Sequence, residues 1–197
     1  MANHCWNLFS FYGNGRVLEQ VKQWQDQLNQ IKPTEDDEFC MRAIRQVFYP
    51  NAKADEQLEY GSKWVHQDTD AISPAEYQLG FQSAWSSPDE LQKHLTLVLR
   101  ELDNFVLVEN FYWIENGDEG YVYTAVNSED AICIQTAYVE CPYDEFDDSE
   151  EAESHMEELL AEYQHDALSD LLFEVPAIAR VVKNHFPKLD IDWSQYD

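Results

Sequence analysis

Residues 76–102, EYQLGFQSAWSSPDELQKHLTLVLREL, decide the fold of this chain. Apolar side chains fall on every second position at the beginning of the stretch, which predicts a β-strand from Glu76. The motif that follows is typical of a helix start, because Ser87 can cap the helix, Pro88 suits its first position and Glu90 completes a capping box. The apolar residues behind it recur at helical spacing on one side: Leu91, Leu95, Val98, Leu99 and Leu102.

The same order of strand and helix opens the chain. Residues 4–12 alternate and are apolar on much of both faces, which predicts a central strand. Gly13-Asn14-Gly15 ends it, and an amphipathic helix stops before Pro33. Its apolar stripe consists of Val17, Val21, Trp24, Leu28 and Ile31.

Three further strands are predicted after residue 104. They cover residues 105–114, 120–126 and 131–140, and Asn116-Gly117 joins the first two as a hairpin, because both residues tolerate a positive φ. Residues 34–75 give no clear element and form an insert. The order of elements predicts an α+β fold, a ferredoxin-like antiparallel sheet with helices on one face.

The last third of the chain differs in charge. Residues 139–174 hold 14 acidic side chains and no Lys or Arg, about half of the formal charge of −27. Two apolar helical stripes follow the charged connector 143–153, and each must be buried on the main domain or on a partner. We therefore predict a ferredoxin-like domain over 1–141, with its insert at 34–75, and a C-terminal acidic helical extension, 142–197, made of the connector and two helices.

Composition excludes several classes of protein. With 44% hydrophobic and 14% aromatic residues, the chain is not a disordered acidic tail. The negative charge and the lack of a basic stripe argue against binding nucleic acid or anionic lipid. We also expect no membrane span and no signal peptide, because the sequence contains no long apolar run. The four cysteines form no C-x-x-C motif, which favours reduced thiols and a cytoplasmic protein.

Three short motifs carry a resemblance to a known family. They are Asn-His-Cys-Trp-Asn at 3–7, Gly-Ser-Lys-Trp at 61–64 and Phe-Gln-Ser-Ala-Trp-Ser-Ser-Pro at 81–88. In order and placement they resemble the YubB-like ferredoxin-like domain family of plasmids and phages, although Ala2 replaces that family's proline. The resemblance implies a ferredoxin-like fold on a mobile element and no catalytic residue. The acidic C-terminal helices lie outside it.

The charge pattern either confers only solubility, or suits a salt-rich habitat, or indicates a function in binding. A charge of −27 equals that of about 45 Å of duplex DNA. We therefore expect a non-enzymatic protein-interaction module of a mobile element that engages a basic protein partner, in its strongest form as a nucleic-acid mimic, without a cofactor. The predicted partner-binding residues are Asp144, Glu145, Asp147, Asp148, Glu150, Glu151, Glu157, Glu158, Glu162, Trp64 and Trp85. The two tryptophans either line a small concave recognition surface or pack at the edge of the core.

The alternative is an enzyme that binds a metal or a small molecule. Glu158, Glu162 and His165 fall on neighbouring turns of one helix, and carboxylate and imidazole sets of this kind bind iron or manganese. Exposed aromatic residues such as Tyr121 and Tyr123 are the corresponding sign of a small-molecule site. Carboxylates are too abundant for the sequence to single out a catalytic pair.

Overall fold

A computed structural model describes residues 3–31, 41–53, 57–67, 75–141 and 149–196. The strands are β1 (His4–Tyr12), β2 (Val65–Gln67), β3 (Gln78–Ala84), β4 (Leu107–Ile114), β5 (Glu119–Val126) and β6 (Ile132–Val139). The helices are α1 (Gly15–Gln30), α2 (Met41–Phe48), α3 (Asp89–Arg100), α4 (Ser149–Glu174) and α5 (Ala179–His185).

The strands form one six-stranded sheet in the order β2-β3-β1-β4-β5-β6, and every neighbouring pair is antiparallel. The predicted α+β class with an antiparallel sheet is confirmed. The six-strand order is not that of a ferredoxin-like sheet, because the Asn116-Gly117 hairpin and the strand after it extend the sheet beyond β4. Of the two hairpin residues only Gly117 has a positive φ, at 98°.

Helices α1, α2 and α3 cover one face of the sheet, which we call the first face. Its core is rich in aromatic rings, and Phe9 of β1 contacts Phe81 of β3 edge-on at 5.2 Å. Asn14 caps α1 by accepting the backbone N–H groups of Arg16 and Val17.

The predicted capping box at the start of α3 is wrong. Helix α3 begins at Asp89 without a side-chain cap. The Ser87 hydroxyl instead accepts a hydrogen bond at 2.9 Å from the buried amide of Asn110 in β4. Glu90 forms an ion pair with Lys93 at 2.7 Å instead of closing a capping box. The need to satisfy a buried amide decides the role of Ser87 here, since an unpaired buried polar group is costly.

The opposite, second face carries helices as well, so the prediction of helices on one face is wrong. Helices α4 and α5 pack on β5 and β6, where the buried side chains of this face include the small residues Ala125, Cys133 and Ala137 beside the ring of Tyr123. Small residues leave room for a helix to approach the sheet closely. Most of the two predicted stripes is buried here: Met156, Leu160, Ala167, Leu168, Leu171, Val175, Ile178 and Val182. Leu159, Val181 and Phe186 are partly buried, and Tyr163, which the first stripe also included, is 41% exposed.

The insert over 34–75 contains two elements that the sequence did not predict. Helix α2 packs beside α1 on the first face, and its Ile44 is completely buried. Strand β2 has three residues and pairs with β3, with Val65 opposite Ser83. Strand β2 is therefore an edge of the sheet, and β6 is the other edge.

Candidate functional site

The main candidate surface is the outer side of α4. This helix has 26 residues, and at about 1.5 Å per residue it is about 39 Å long. It contains no Lys or Arg, and all of its nine acidic side chains are exposed. They are Glu150, Glu151, Glu153, Glu157, Glu158, Glu162, Asp166, Asp170 and Glu174, and we call them the acidic face.

The predicted partner-binding carboxylates fall into two groups. Glu150, Glu151, Glu157, Glu158 and Glu162 lie on the acidic face. The other four, Asp144, Glu145, Asp147 and Asp148, lie outside the described residues.

The carboxylates of the acidic face are dense along the helix, although their axial steps vary from about 1.5 to 6 Å. Its charges occur once per roughly 4.5 Å of helix axis, against about 3.4 Å per phosphate along one strand of DNA. The helix is held on the sheet from both halves. Met156 and Leu160 form a cluster with Val139, while Leu168 and Leu171 belong to the larger core beneath α5.

The predicted ligand set Glu158, Glu162 and His165 does not form a metal centre. Among the residues that the structure describes, no three His, Cys, Asp or Glu side chains are arranged to hold a metal ion. The two ring nitrogens of His165 lie 3.2 Å from the Asp190 carbonyl and 3.3 Å from the Asp166 carboxylate. Both contacts raise the pKa of His165, the Asp190 carbonyl more strongly, and thereby favour the protonated ring, which cannot bind a metal.

The two tyrosines predicted for a small-molecule site are covered. Tyr123 is completely buried, and its hydroxyl accepts a hydrogen bond from Gln164 of α4 at 2.6 Å. Tyr121 is partly buried against Met156 and Leu160. These rings fasten the helix to the sheet and do not line a ligand site.

Neither Cys5 nor Cys133 offers a nucleophile. Burial raises the pKa of both Cys5 and Cys133 to about 11, so that each is a thiol at neutral pH. The thiolate is the reactive form. Cys5, Cys133 and Cys141 are all free in the described part of the chain, and Cys40 lies outside it.

Trp85 lies in an exposed turn at the end of β3. Its side chain is 53% exposed and its φ is +70°. The backbone N–H of Ser86 donates to the carbonyl of Ala84 at 2.9 Å, so that Trp85 is the central residue of a γ-turn of the strained, left-handed kind. A bulky residue persists in this conformation only where its surroundings impose it.

The turn of Trp85 borders a cleft of about 760 Å³ that also contains Ser62, Lys63 and Arg45. Gly61 positions the loop of this cleft, with φ at +81°. A Cβ atom on Gly61 would lie 2.8 Å from the backbone nitrogens at the start of α3, so only glycine fits. The Ser62 hydroxyl donates to the Ala84 carbonyl at 2.7 Å and joins the loop to β3.

Trp64 is different, because it is only 8% exposed. Its ring lies 5.4 Å from that of His66 and 5.5 Å from that of His4 on the second face. The cleft and Trp64 lie at the β2 edge of the sheet, whereas α4 packs on the β6 edge. Five strand spacings of about 4.8 Å put these edges roughly 24 Å apart, so Trp64 and Trp85 lie well away from the predicted carboxylates that belong to α4.

Sequence reasoning missed a row of aromatic rings on the second face. Trp6 of β1 stacks on Trp113 of β4 at 5.9 Å with an interplanar angle of 14°. The row continues from Trp6 to His4 at 6.1 Å and then to Trp64 and His66. The signal was present in residues 4–12, which are apolar on both faces, but this pattern predicts a strand covered on both sides.

Comparison with protein-family models, with curated proteins and with solved structures found no match. The resemblance to the YubB-like family therefore stays a prediction. Within the described ranges, none of the helices has the length and apolar character needed to cross a membrane.

Proposed function

We propose that this chain is a non-enzymatic protein-interaction module whose acidic face binds a basic protein partner. One observation carries the proposal. Nine exposed carboxylates lie on a single helix without Lys or Arg, and that helix is fixed to the sheet by its opposite side. A fixed array of like charges raises the rate of association with an oppositely charged partner.

The anchoring of α4 on the sheet favours a high affinity for the partner as well as a high rate of association. A free acidic helix would lose conformational freedom when a partner bound it, and this loss would lower the affinity. Leu168 and Leu171 of α4 are completely buried, as is Val182 of α5. The carboxylates are therefore held in position before the partner arrives.

The finer form of the proposal is a nucleic-acid mimic encoded by a mobile element. It is supported by the axial spacing of the acidic face, close to that of phosphates, and by the resemblance of three sequence motifs to a plasmid and phage family. The partner would then be a protein whose own site binds a nucleic-acid backbone. Trp85, more than half exposed in a strained turn, has the character of a hydrophobic anchor for such a partner.

The experiment compares two triple variants of equal net charge, using a polylysine peptide as the probe. The first replaces three carboxylates of the acidic face by glutamine: Glu157→Gln, Glu158→Gln and Glu162→Gln. The control replaces three exposed carboxylates elsewhere: Glu19→Gln, Glu101→Gln and Glu129→Gln. Affinity is measured by titration calorimetry at several salt concentrations.

We expect the variant of the acidic face to bind polylysine at least about tenfold more weakly than the wild type at low salt. It forms fewer ion contacts with the peptide, so that binding releases fewer counterions. The control should stay within about twofold, since its charges lie on α1, after α3 and in the β5–β6 turn and not on α4. Equal losses in both variants would mean that only net charge matters, and the proposal would then be wrong.

A further inference from the structure

The row of aromatic rings on the second face runs across three of the six strands and the loop before β2. We define the aromatic row as His66, Trp64, His4, Trp6 and Trp113, whose neighbouring ring centroids lie 5.4 to 6.1 Å apart. Large rings on a sheet face normally pack under a helix or a second sheet. This row does so only in part.

Part of the β1–β4 half of the second face lacks a covering element among the described residues. Helix α4 packs on β5 and β6 and reaches Phe111 of β4, while α5 and the C-terminal segment cover Tyr12 of β1 and Leu107 of β4, so only the part of this half around Trp6, Leu8 and Trp113 is left uncovered. Trp6, Leu8 and Trp113 are partly exposed and belong to none of the hydrophobic clusters of the described chain. The Trp6–Trp113 end of the aromatic row is therefore partly open to solvent, whereas Trp64 is buried, and α4 lies on the β5 and β6 side of the open end.

The charges at the Trp113 end of the row are negative, whereas the exposed Lys63 precedes Trp64 at the other end. None of the six strands contains a Lys or Arg. Glu119 of β5 lies directly opposite Trp113 in the register of β4 and β5. Partial burial raises the pKa of Glu119, and the nearby carboxylates of Glu157 and Glu153 on α4 raise it further. Carboxylates that repel one another in this way are stabilised by an incoming cation.

The combination of aromatic rings and carboxylates on this surface indicates which chemical group would bind there. Nucleic-acid bases also stack on aromatic rings, but their phosphates would be repelled by the carboxylates. A purely apolar partner would remove the carboxylates from water without pairing them, which is costly. A guanidinium group satisfies both features, because it is planar, stacks on indole rings and pairs with carboxylates.

We propose that the aromatic row docks arginine side chains of the basic partner, with a guanidinium group stacked on the Trp6–Trp113 pair and paired with Glu119. This inference rests on the proposed function and adds to it. The acidic face attracts any basic partner, whereas the aromatic row makes the protein prefer arginine over lysine. A lysine ammonium group carries the same charge but cannot stack as a plane.

The test uses two peptides of equal length and charge, polyarginine and polylysine, at about 0.15 M salt. We expect the wild-type protein to bind polyarginine about three- to fivefold more tightly, which is the size of a cation–π contact at an exposed ring. Trp6→Leu and Trp113→Leu, made singly, should each abolish the preference and leave the affinity for polylysine within about twofold. Phe173→Leu is the control, because Phe173 is 84% exposed and lies outside the row.

The outcomes separate this inference from the proposed function. If neither peptide binds, the proposed function fails and the inference fails with it. If both bind equally to the wild-type protein, the aromatic row has no role in recognition, although the acidic face keeps its own. This comparison needs no variant, so it decides the question even if a tryptophan substitution prevents folding.

Discussion

Gly61 offers the sharpest test of how the sequence positions the exposed cleft. Its φ of +81° lies in the left-handed region, where any other residue costs about 1–2 kcal/mol. The added Cβ atom of Gly61→Ala would also lie 2.8 Å from the backbone nitrogens of Asp89 and Glu90. These atoms cannot retreat easily, because Leu91 N–H donates to the Tyr60 carbonyl at 3.2 Å and ties the loop to α3.

The two effects together predict that Gly61→Ala lowers the free energy of unfolding by about 2–4 kcal/mol. For a chain of this length this corresponds to a fall in Tm of roughly 4–16 °C. Urea unfolding followed by circular dichroism measures the free energy, and a thermal scan measures Tm.

Gly15 provides the matched control. It lies at the start of α1, and a Cβ atom on it would meet no atom within 4 Å. Gly15→Ala should leave stability unchanged or raise it by up to about 1 kcal/mol, because alanine favours the helix. If Gly61→Ala were as stable as Gly15→Ala, the close contact between the loop and α3 would be refuted, and with it the account of the cleft.

Three further predictions concern α4 and the sheet beneath it. Leu168→Ala should destabilise the protein by about 3 kcal/mol, and the matched Leu97→Ala, at a 43% exposed position, by under about 1 kcal/mol in urea unfolding. The pKa of His165 is raised in the folded state, so His165→Gln should lower the free energy of unfolding more at pH 5.5 than at pH 8. An equal loss at both pH values would contradict the contacts of His165 with Asp190 and Asp166. Burial raises the pKa of Glu109, so Glu109→Gln should stabilise the protein above pH 7 by removing a buried charge. This gain should disappear as the pH falls toward 4, because Glu109 itself is then protonated. A variant less stable than the wild type at pH 8 would contradict this prediction.

Local periodicity predicted those helices and strands whose sequence pattern depends only on nearby residues. Residues 4–12 and the helix after Pro88 were found as predicted, because their patterns depend on neighbours one or two turns away. Which side of the sheet would receive α4 could not be predicted in this way. An apolar stripe shows that a helix must be buried, but the surface that accepts it is set by small residues far away in the sequence, such as Ala125 and Ala137.

The two predicted tryptophans show the limit of pattern reasoning at a site. Trp85 continues the odd-numbered alternation of Leu79 and Phe81, a pattern that predicts the same side of a strand for all three. The strand ends at Ala84, however, and the γ-turn directs the ring outward, whereas Trp64 lies in the aromatic row. A left-handed backbone at a tryptophan leaves no signal in the sequence, since it is imposed by contacts such as the hydrogen bond from Trp85 N–H to the Asn3 carbonyl.

The anions that suit this protein for a basic partner also act on its own stability. Like charges on α4 repel one another while the helix is folded and separate when the chain unfolds, so they favour the unfolded state. Salt screens this repulsion over a Debye length of about 10 Å at 0.1 M and therefore stabilises the fold, yet it weakens attraction to the partner. Because bound cationic side chains relieve the same repulsion, binding stabilises the fold most at low salt, where the unbound protein is least stable. In the proposed function the acidic face therefore couples folding to binding, and the buried stripe of α4 keeps the helix folded in the unbound protein.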